Sequence, residues 1–338
     1  MSGNSKSWKL PLLSVLLLIL SSGCQGWAPQ QREFSQELIE ERLRRGPLQA
    51  VTGTPKYILL EGYPAAYRHA IAEGIDAARN YFGEFGPVRV YVLGRTEDGA
   101  DSAAAKQDFL RHYCEPRSAT APRGYEEDCA GGPGQRLLDV ATSGGMEAYQ
   151  SLVIHTDPPY SELVFINAHA WGESDMPLRG IHEYVHVFQC SHPEAPGWLM
   201  EGGAVFFEVW LGAQNGWVDP RQAMRWSLKN ALEAMALGKG LVDMEYTRDL
   251  PAAMRPFHRQ VAYDMGCWAV TYMIGNSPGR SVAGFRDSFY SLLEKSGWRT
   301  AVTEYCGVES VEAFYRDFER FMQQPTEDQL QFYESLRP

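Results

Sequence analysis

Residues 182–208 read HEYVHVFQCSHPEAPGWLMEGGAVFFE, and the reading of this stretch decides the fold. His182 and His186 are four apart, just over one helical turn, so on a helix both imidazoles project from one face and can bind one ion. Glu183 falls on an adjacent part of that surface, where it can reach a water beside the ion without being a ligand. Pro193, Pro196 and Gly197 break the helix after Cys190. A second helix opens at Trp198-Leu199-Met200-Glu201-Gly202-Gly203-Ala204 and continues through Phe206, Phe207 and Glu208. The fourteen residues from 187 to 200 allow a reversal between the two helices, which returns Glu201 to the metal-facing side of the first. Two imidazoles and one carboxylate suit zinc, and three protein ligands leave a coordination position open. The plainer alternative for Glu201 is a carboxylate favoured only by the helix dipole. Glu208, seven residues on along the same face, either accepts a hydrogen bond from a ligand histidine or is a solvated helix charge.

Outward from this pair the chain divides into a mixed half and a helical half. Lys56 to Leu60 reads as a strand, Tyr63 to Phe82 as a helix, Val88 to Leu93 as an alternating strand and Ala103 to Tyr113 as a short helix. Residues 115 to 135, dense in Gly, Pro and charge, read as the least ordered stretch. Ser151 to His155 and Leu163 to Asn167 read as strands joined by a turn at Asp157-Pro158-Pro159. Beyond Leu178 nearly everything is helix-compatible, through to the amphipathic segment Val311 to Met322. The expectation is therefore an α+β protein, with a mixed sheet in the N-terminal half and a mostly helical C-terminal half.

The sequence Trp-Leu-x-Glu-Gly-x-Ala-x-x-x-Glu, following His-Glu-x-x-His, resembles the gluzincins of the peptidase MA-like superfamily, related to aminopeptidase N-type enzymes and more distantly to thermolysin. The resemblance covers roughly residues 163 to 322 and implies a zincin-like catalytic domain. It implies that His182, His186 and Glu201 hold zinc and that Glu183 is the general base. Ala262-Tyr263-Asp264-Met265-Gly266 resembles the Tyr-x-x-Gly helix of the same family, whose tyrosine donates to the oxyanion. Tyr263 is the candidate donor, with His258 in competition; otherwise Tyr263 is a core residue of an amphipathic helix. On the substrate side, zincins lay the strand before the metal helix along the cleft, where it pairs with an extended peptide. Leu163 to His169 holds that place in the chain, so Asn167 and His169 either face substrate or finish a strand at a turn. Gly144-Gly145-Met146-Glu147 partly resembles the aminopeptidase motif whose Glu holds the substrate's free amine, although Ala148 replaces the Asn expected next.

Composition sets the outer limits. The apolar content, 44%, is that of a globular chain, and a net charge of −11 argues against a nucleic-acid partner, which needs a basic surface. Lys6 and Lys9 precede the apolar run Leu10 to Leu20, then Ser21, Ser22, Gly23 and Cys24. That order reads as a secretory signal over 1–24. Ser22-Gly23-Cys24 resembles a bacterial lipobox, which implies lipidation at Cys24 and membrane attachment in the cell envelope; the alternative is ordinary cleavage nearby. Residues 25–50 read as a tether or outer helix, 51–325 as the catalytic domain and 326–338 as a tail. Cys114 and Cys129 flank the Pro/Gly-rich loop, and export permits their oxidation. Cys190, Cys267 and Cys306 read as buried apolar residues, the alternative being a pair among them. The function expected is zinc-dependent hydrolysis of a peptide or protein substrate. Its rivals are a zinc hydrolase of another amide or ester, and a non-catalytic envelope protein with a structural zinc.

Overall fold

A computed structural model describes residues 36–95, 102–118, 125–247 and 250–338. The expected signal and Cys24 lie outside these residues. Among the described residues six strands occur in chain order: β1 (Gln49–Ala50), β2 (Lys56–Leu59), β3 (Phe85–Gly86), β4 (Val88–Leu93), β5 (Glu147–Val153) and β6 (Tyr160–Ile166). β1 and β3 form a small antiparallel pair, and the other four form a mixed sheet in the order β2-β4-β6-β5. β2, β4 and β6 are parallel; β5 runs antiparallel to β6 in register Val153↔Tyr160 to Glu147↔Ile166. β6 is buried along its whole length, as its unbroken Leu163-Val164-Phe165-Ile166 run requires of a strand covered on both faces. β5 is half-buried, as an edge strand is.

The connection from β2 to β4 is α2 (Ala65–Phe82), which follows α1 (Gln36–Arg45) in the chain. α1 is held at the β5–β6 turn by Arg42, which donates to the Ile154 and Thr156 carbonyls at 2.7 Å each. After β4 come α3 (Ala103–Ser118), α4 (Tyr125–Cys129), a wide π turn (Ala130–Gly134) and α5 (Gln135–Ser143). Within the segment expected to be least ordered, the described residues 115–118 and 125–135 are helical. α3 continues past Tyr113 because Arg117, in its last turn, forms a two-point ion pair with the fully buried Glu162 of β6. A Cys114–Cys129 disulfide, 15 residues apart, then ties α3 to α4.

α6 (Asp175–Gln189) carries the His-Glu-x-x-His segment and packs against α2 at an unusually close crossing. A Cβ at Gly74 would stand 1.8 Å from the Pro177 carbonyl oxygen, and one at Gly180 would stand 2.3 Å from that of Ile71. α7 (Gly197–Gln214) follows, then α8 (Pro220–Ala236), which starts where Asp219 accepts from the Arg221 and Gln222 amides ahead of Pro220. A second π turn, Arg259–Met265, runs directly into α9 (Gly266–Asn276). α10 (Val282–Gly284), α11 (Tyr290–Cys306), α12 (Val311–Met322) and α13 (Thr326–Glu334) complete the chain. Residues 326–338 are not a detached tail: Leu330 and Tyr333 are buried, and the Arg337 amide donates to the Arg280 carbonyl. The described elements form an α+β structure, with the sheet in the N-terminal half and helices beyond it. Among the described residues no helix is long and apolar enough to cross a membrane.

Candidate metal centre

α6 presents His182, Glu183 and His186, all of them largely buried. The chain turns through 190–196 and α7 brings Glu201 back against them. One ligand atom from each of His182, His186 and Glu201 lies within 4.8 Å of the others. The Glu201 Oε2 atom is 3.5 Å from His182 Nε2 and 3.3 Å from His186 Nε2. It is buried without a hydrogen bond. A buried carboxylate oxygen set between two ring nitrogens is satisfied by a ring proton or by a cation held among the three groups. These three side chains therefore form a triad that can hold a metal ion.

The outer nitrogens of both rings are occupied. His182 Nδ1 lies 3.0 Å from Glu208 Oε2, and Arg179 pairs with the other Glu208 oxygen at 3.1 Å. His186 Nδ1 lies 2.7 Å from Gln189 Oε1. With its Nδ1 hydrogen donated outward, a neutral imidazole keeps its Nε2 lone pair for the inside. Glu208 is buried in this pair of contacts and is not a solvated helix charge.

Ring protons and a cation compete for the central position. Burial acts to lower the His182 pKa, but Glu201 and Glu208 outweigh it and push the value up to about 10. His186 is likewise raised against burial, chiefly by Glu201. Burial acts to raise Glu201, yet the His186 and His182 rings hold it well below the usual carboxylate range. Glu183 is raised by burial, with Glu201 adding to the effect. That direction suits a proton acceptor better than an ordinary surface carboxylate would.

Tyr263 sits in the π turn before α9, its ring parallel to that of His182 at 5.7 Å between centroids. Burial, then the Glu201 carboxylate, pushes its ionisation well above the normal phenol range, so it stays a donor. Two glycines explain how this segment gets so close. A Cβ at Gly266 would be 2.2 Å from the Trp198 carbonyl oxygen, and one at Gly202 would be 2.1 Å from the Gly266 carbonyl carbon. α7 and α9 therefore touch backbone to backbone beside Glu201. His258 meets the Tyr263 ring edge-on at 5.6 Å and is not part of the cleft wall.

The triad opens into a cleft of about 300 Å³, whose wall includes Glu183, Tyr263, Met200 and Thr247. The substrate-side expectations need correction. The strand along the cleft is β5, through Ala148, Tyr149 and Gln150, and not the segment Leu163 to His169. β6 is paired on both sides, by β4 and β5, and has no edge to offer. Asn167 is buried with a left-handed backbone (φ 54°). Its amide nitrogen donates to the Ala141 and Gly145 carbonyls and its oxygen accepts from the Arg95 amide, so it closes a turn. His169 shares a hydrogen bond with the Tyr63 hydroxyl at 3.1 Å, away from the cleft wall. Glu147 accepts from Arg136 at 2.9 Å and also lies outside the wall.

Arg179 and Gln189 were not singled out in the sequence. Both stand three residues from a histidine of the triad, a helical spacing that carries the signal. The cleft-lining role of β5 has no such signal, because edge position is a property of the assembled sheet. Comparison of the chain with protein-family models, with curated proteins and with solved structures finds no match.

Proposed function

We propose that this chain is a zinc-dependent metallopeptidase of the gluzincin type on a zincin-like fold. The observation that carries the reading is the convergence of two inward-facing imidazole nitrogens and one orphaned carboxylate oxygen beside Glu183 and Tyr263. Zinc fits the donor set. Tetrahedral ligands at about 2.0–2.1 Å from the ion stand about 3.3–3.4 Å from each other. The distances of 3.3 and 3.5 Å from Glu201 Oε2 to the two rings lie near that spacing, and all three ligand atoms lie within 4.8 Å of one another. Bound there, zinc supplies a Lewis acid that lowers the pKa of a water towards about 7 and polarises a carbonyl.

The protein's own groups do the rest. Glu183 takes the proton from the attacking water and returns it to the leaving amine. Tyr263 donates to the carbonyl oxygen as negative charge develops there. A peptide is favoured over other amides and esters by β5, which among the described residues pairs only with β6 and borders the cleft. Its other edge can take an extended chain by main-chain hydrogen bonding. The order of residues 1–24 supports export to the bacterial cell envelope, with attachment through Cys24.

The test is metal analysis of the purified chain together with peptide cleavage by wild type and Glu183→Gln. The variant is expected to keep zinc and lose about 10²–10⁴-fold in turnover, whereas His186→Ala loses the metal. Full activity in Glu183→Gln refutes the proposal.

A further inference from the structure

We infer that Gln189 is the positioning residue that joins the two metal-bearing helices and sets the tautomer of His186. The inference rests on reading the triad as a metal site, not on the peptide chemistry. Gln189 is buried at the end of α6, three residues after His186. Its Nε2 donates to the Met200 carbonyl at 2.9 Å, and its Oε1 is 2.7 Å from His186 Nδ1.

The order of constraint runs from the backbone outward. A carbonyl oxygen can only accept, so Met200 dictates which end of the Gln189 amide faces it. The opposite orientation would set two acceptors, Gln189 Oε1 and the Met200 carbonyl, against each other and leave the amide nitrogen facing His186. With Nε2 turned to Met200, Oε1 faces His186 and requires a hydrogen on Nδ1. In the neutral ring His186 Nε2 is then left as a lone pair directed at the triad. The same amide fixes position as well as protonation, because Met200 immediately precedes Glu201. One side chain therefore holds a ligand of α6 and the ligand of α7 in a single frame.

The Glu201-Gly202-Gly203 sequence contains the space for this device. Gly202 admits α9, whereas a Cβ at Gly203 would lie 3.0 Å from Gln189 Nε2. An alanine at 203 would press on the amide without touching either ligand. Gly203 is thus the matching half of the arrangement.

The experiment measures zinc affinity by chelator competition, alongside the melting temperature of the metal-free protein, in wild type, Gln189→Met, Gly203→Ala and the double variant. Gln189→Met is expected to weaken zinc binding by about 10–100-fold. Gly203→Ala is expected to weaken it in the same direction but less. The double variant is expected to be no weaker than Gln189→Met, because both act through one contact. Wild-type affinity in a folded Gln189→Met protein, or full additivity in the double variant, overturns the inference. Should Gln189→Met not fold, wild-type affinity in Gly203→Ala overturns it alone. A wild-type chain that takes up no zinc overturns both this inference and the proposed function. One that binds zinc but cleaves no peptide overturns the function only, and the affinity comparison still decides the role of Gln189.

Discussion

Gly266→Ala tests the backbone contact on which the position of Tyr263 depends. Two effects oppose each other. Within a helix, alanine is favoured over glycine by about 1 kcal/mol. Against that, the new Cβ would meet the Trp198 carbonyl oxygen at 2.2 Å and the Gly202 Cα at 3.0 Å. Ordinary contact is roughly 3.5 Å, so α7 and α9 must separate by about 1 Å. Neither contact is the movable end of a side chain. Overpacking of this kind costs about 3 kcal/mol, and the net loss of about 2 kcal/mol lowers the melting temperature of a chain this long by roughly 3 °C. Gly131→Ala is the control: nothing lies within 4 Å of its Cβ, so it is expected to be neutral or slightly stabilising. Tyr263 is three residues before Gly266 in the same helical run, and displacement by about 1 Å is expected to lower turnover by about 10²-fold. Thermal denaturation of both variants, with zinc content and turnover of Gly266→Ala, makes the check. Gly266→Ala melting with wild type, or above it as Gly131→Ala does, would refute the close crossing and the account of Tyr263 built on it.

Three further outcomes are expected. Tyr263→Phe keeps zinc and the fold but loses about 10²–10³-fold in turnover, with KM little changed, measured by steady-state kinetics; an unchanged rate removes Tyr263 from the chemistry. In the pH dependence, His182 rises from an ordinary 6.5 to about 10, so its contribution to the stability of the metal-free chain is full below pH 6.5 and is lost as pH rises towards 10. Zinc must displace that proton, so the melting temperature gained by adding zinc is expected to widen over the same window; a gap independent of pH contradicts the shift. Replacing Cys114 and Cys129 together by Ser opens a closure spanning 15 residues and is expected to cost about 3 kcal/mol in chemical denaturation, with zinc content unaffected.

Much of the candidate metal centre was legible because it is written at helical spacing. The interval from His182 to His186 places two rings on one face whatever surrounds the helix, and the prolines at 193 and 196 force the reversal that returns Glu201. The division into a sheet-bearing half and a helical half was legible for the same reason, since local periodicity carries both. The helical turns at 115–118 and 125–135 were not legible because nearby glycines and prolines weigh towards loop, while a buried Arg117–Glu162 pair and the Cys114–Cys129 bond, both long-range, favour helix. Residues 326–338 looked like a tail because their anchors, such as the Arg280 carbonyl, are distant in sequence.

What the sequence alone determined, then, is the membership of the candidate triad and the helical faces that carry it. Which strand borders the cleft, which helices touch through bare glycine backbone and which polar side chains lock the two rings were decided only by tertiary structure. The physical reason is that edge position, backbone approach and buried hydrogen bonding depend on what lies opposite. For Asn167 that was the end of α5, for Gly266 it was Trp198, and for Gln189 it was Met200.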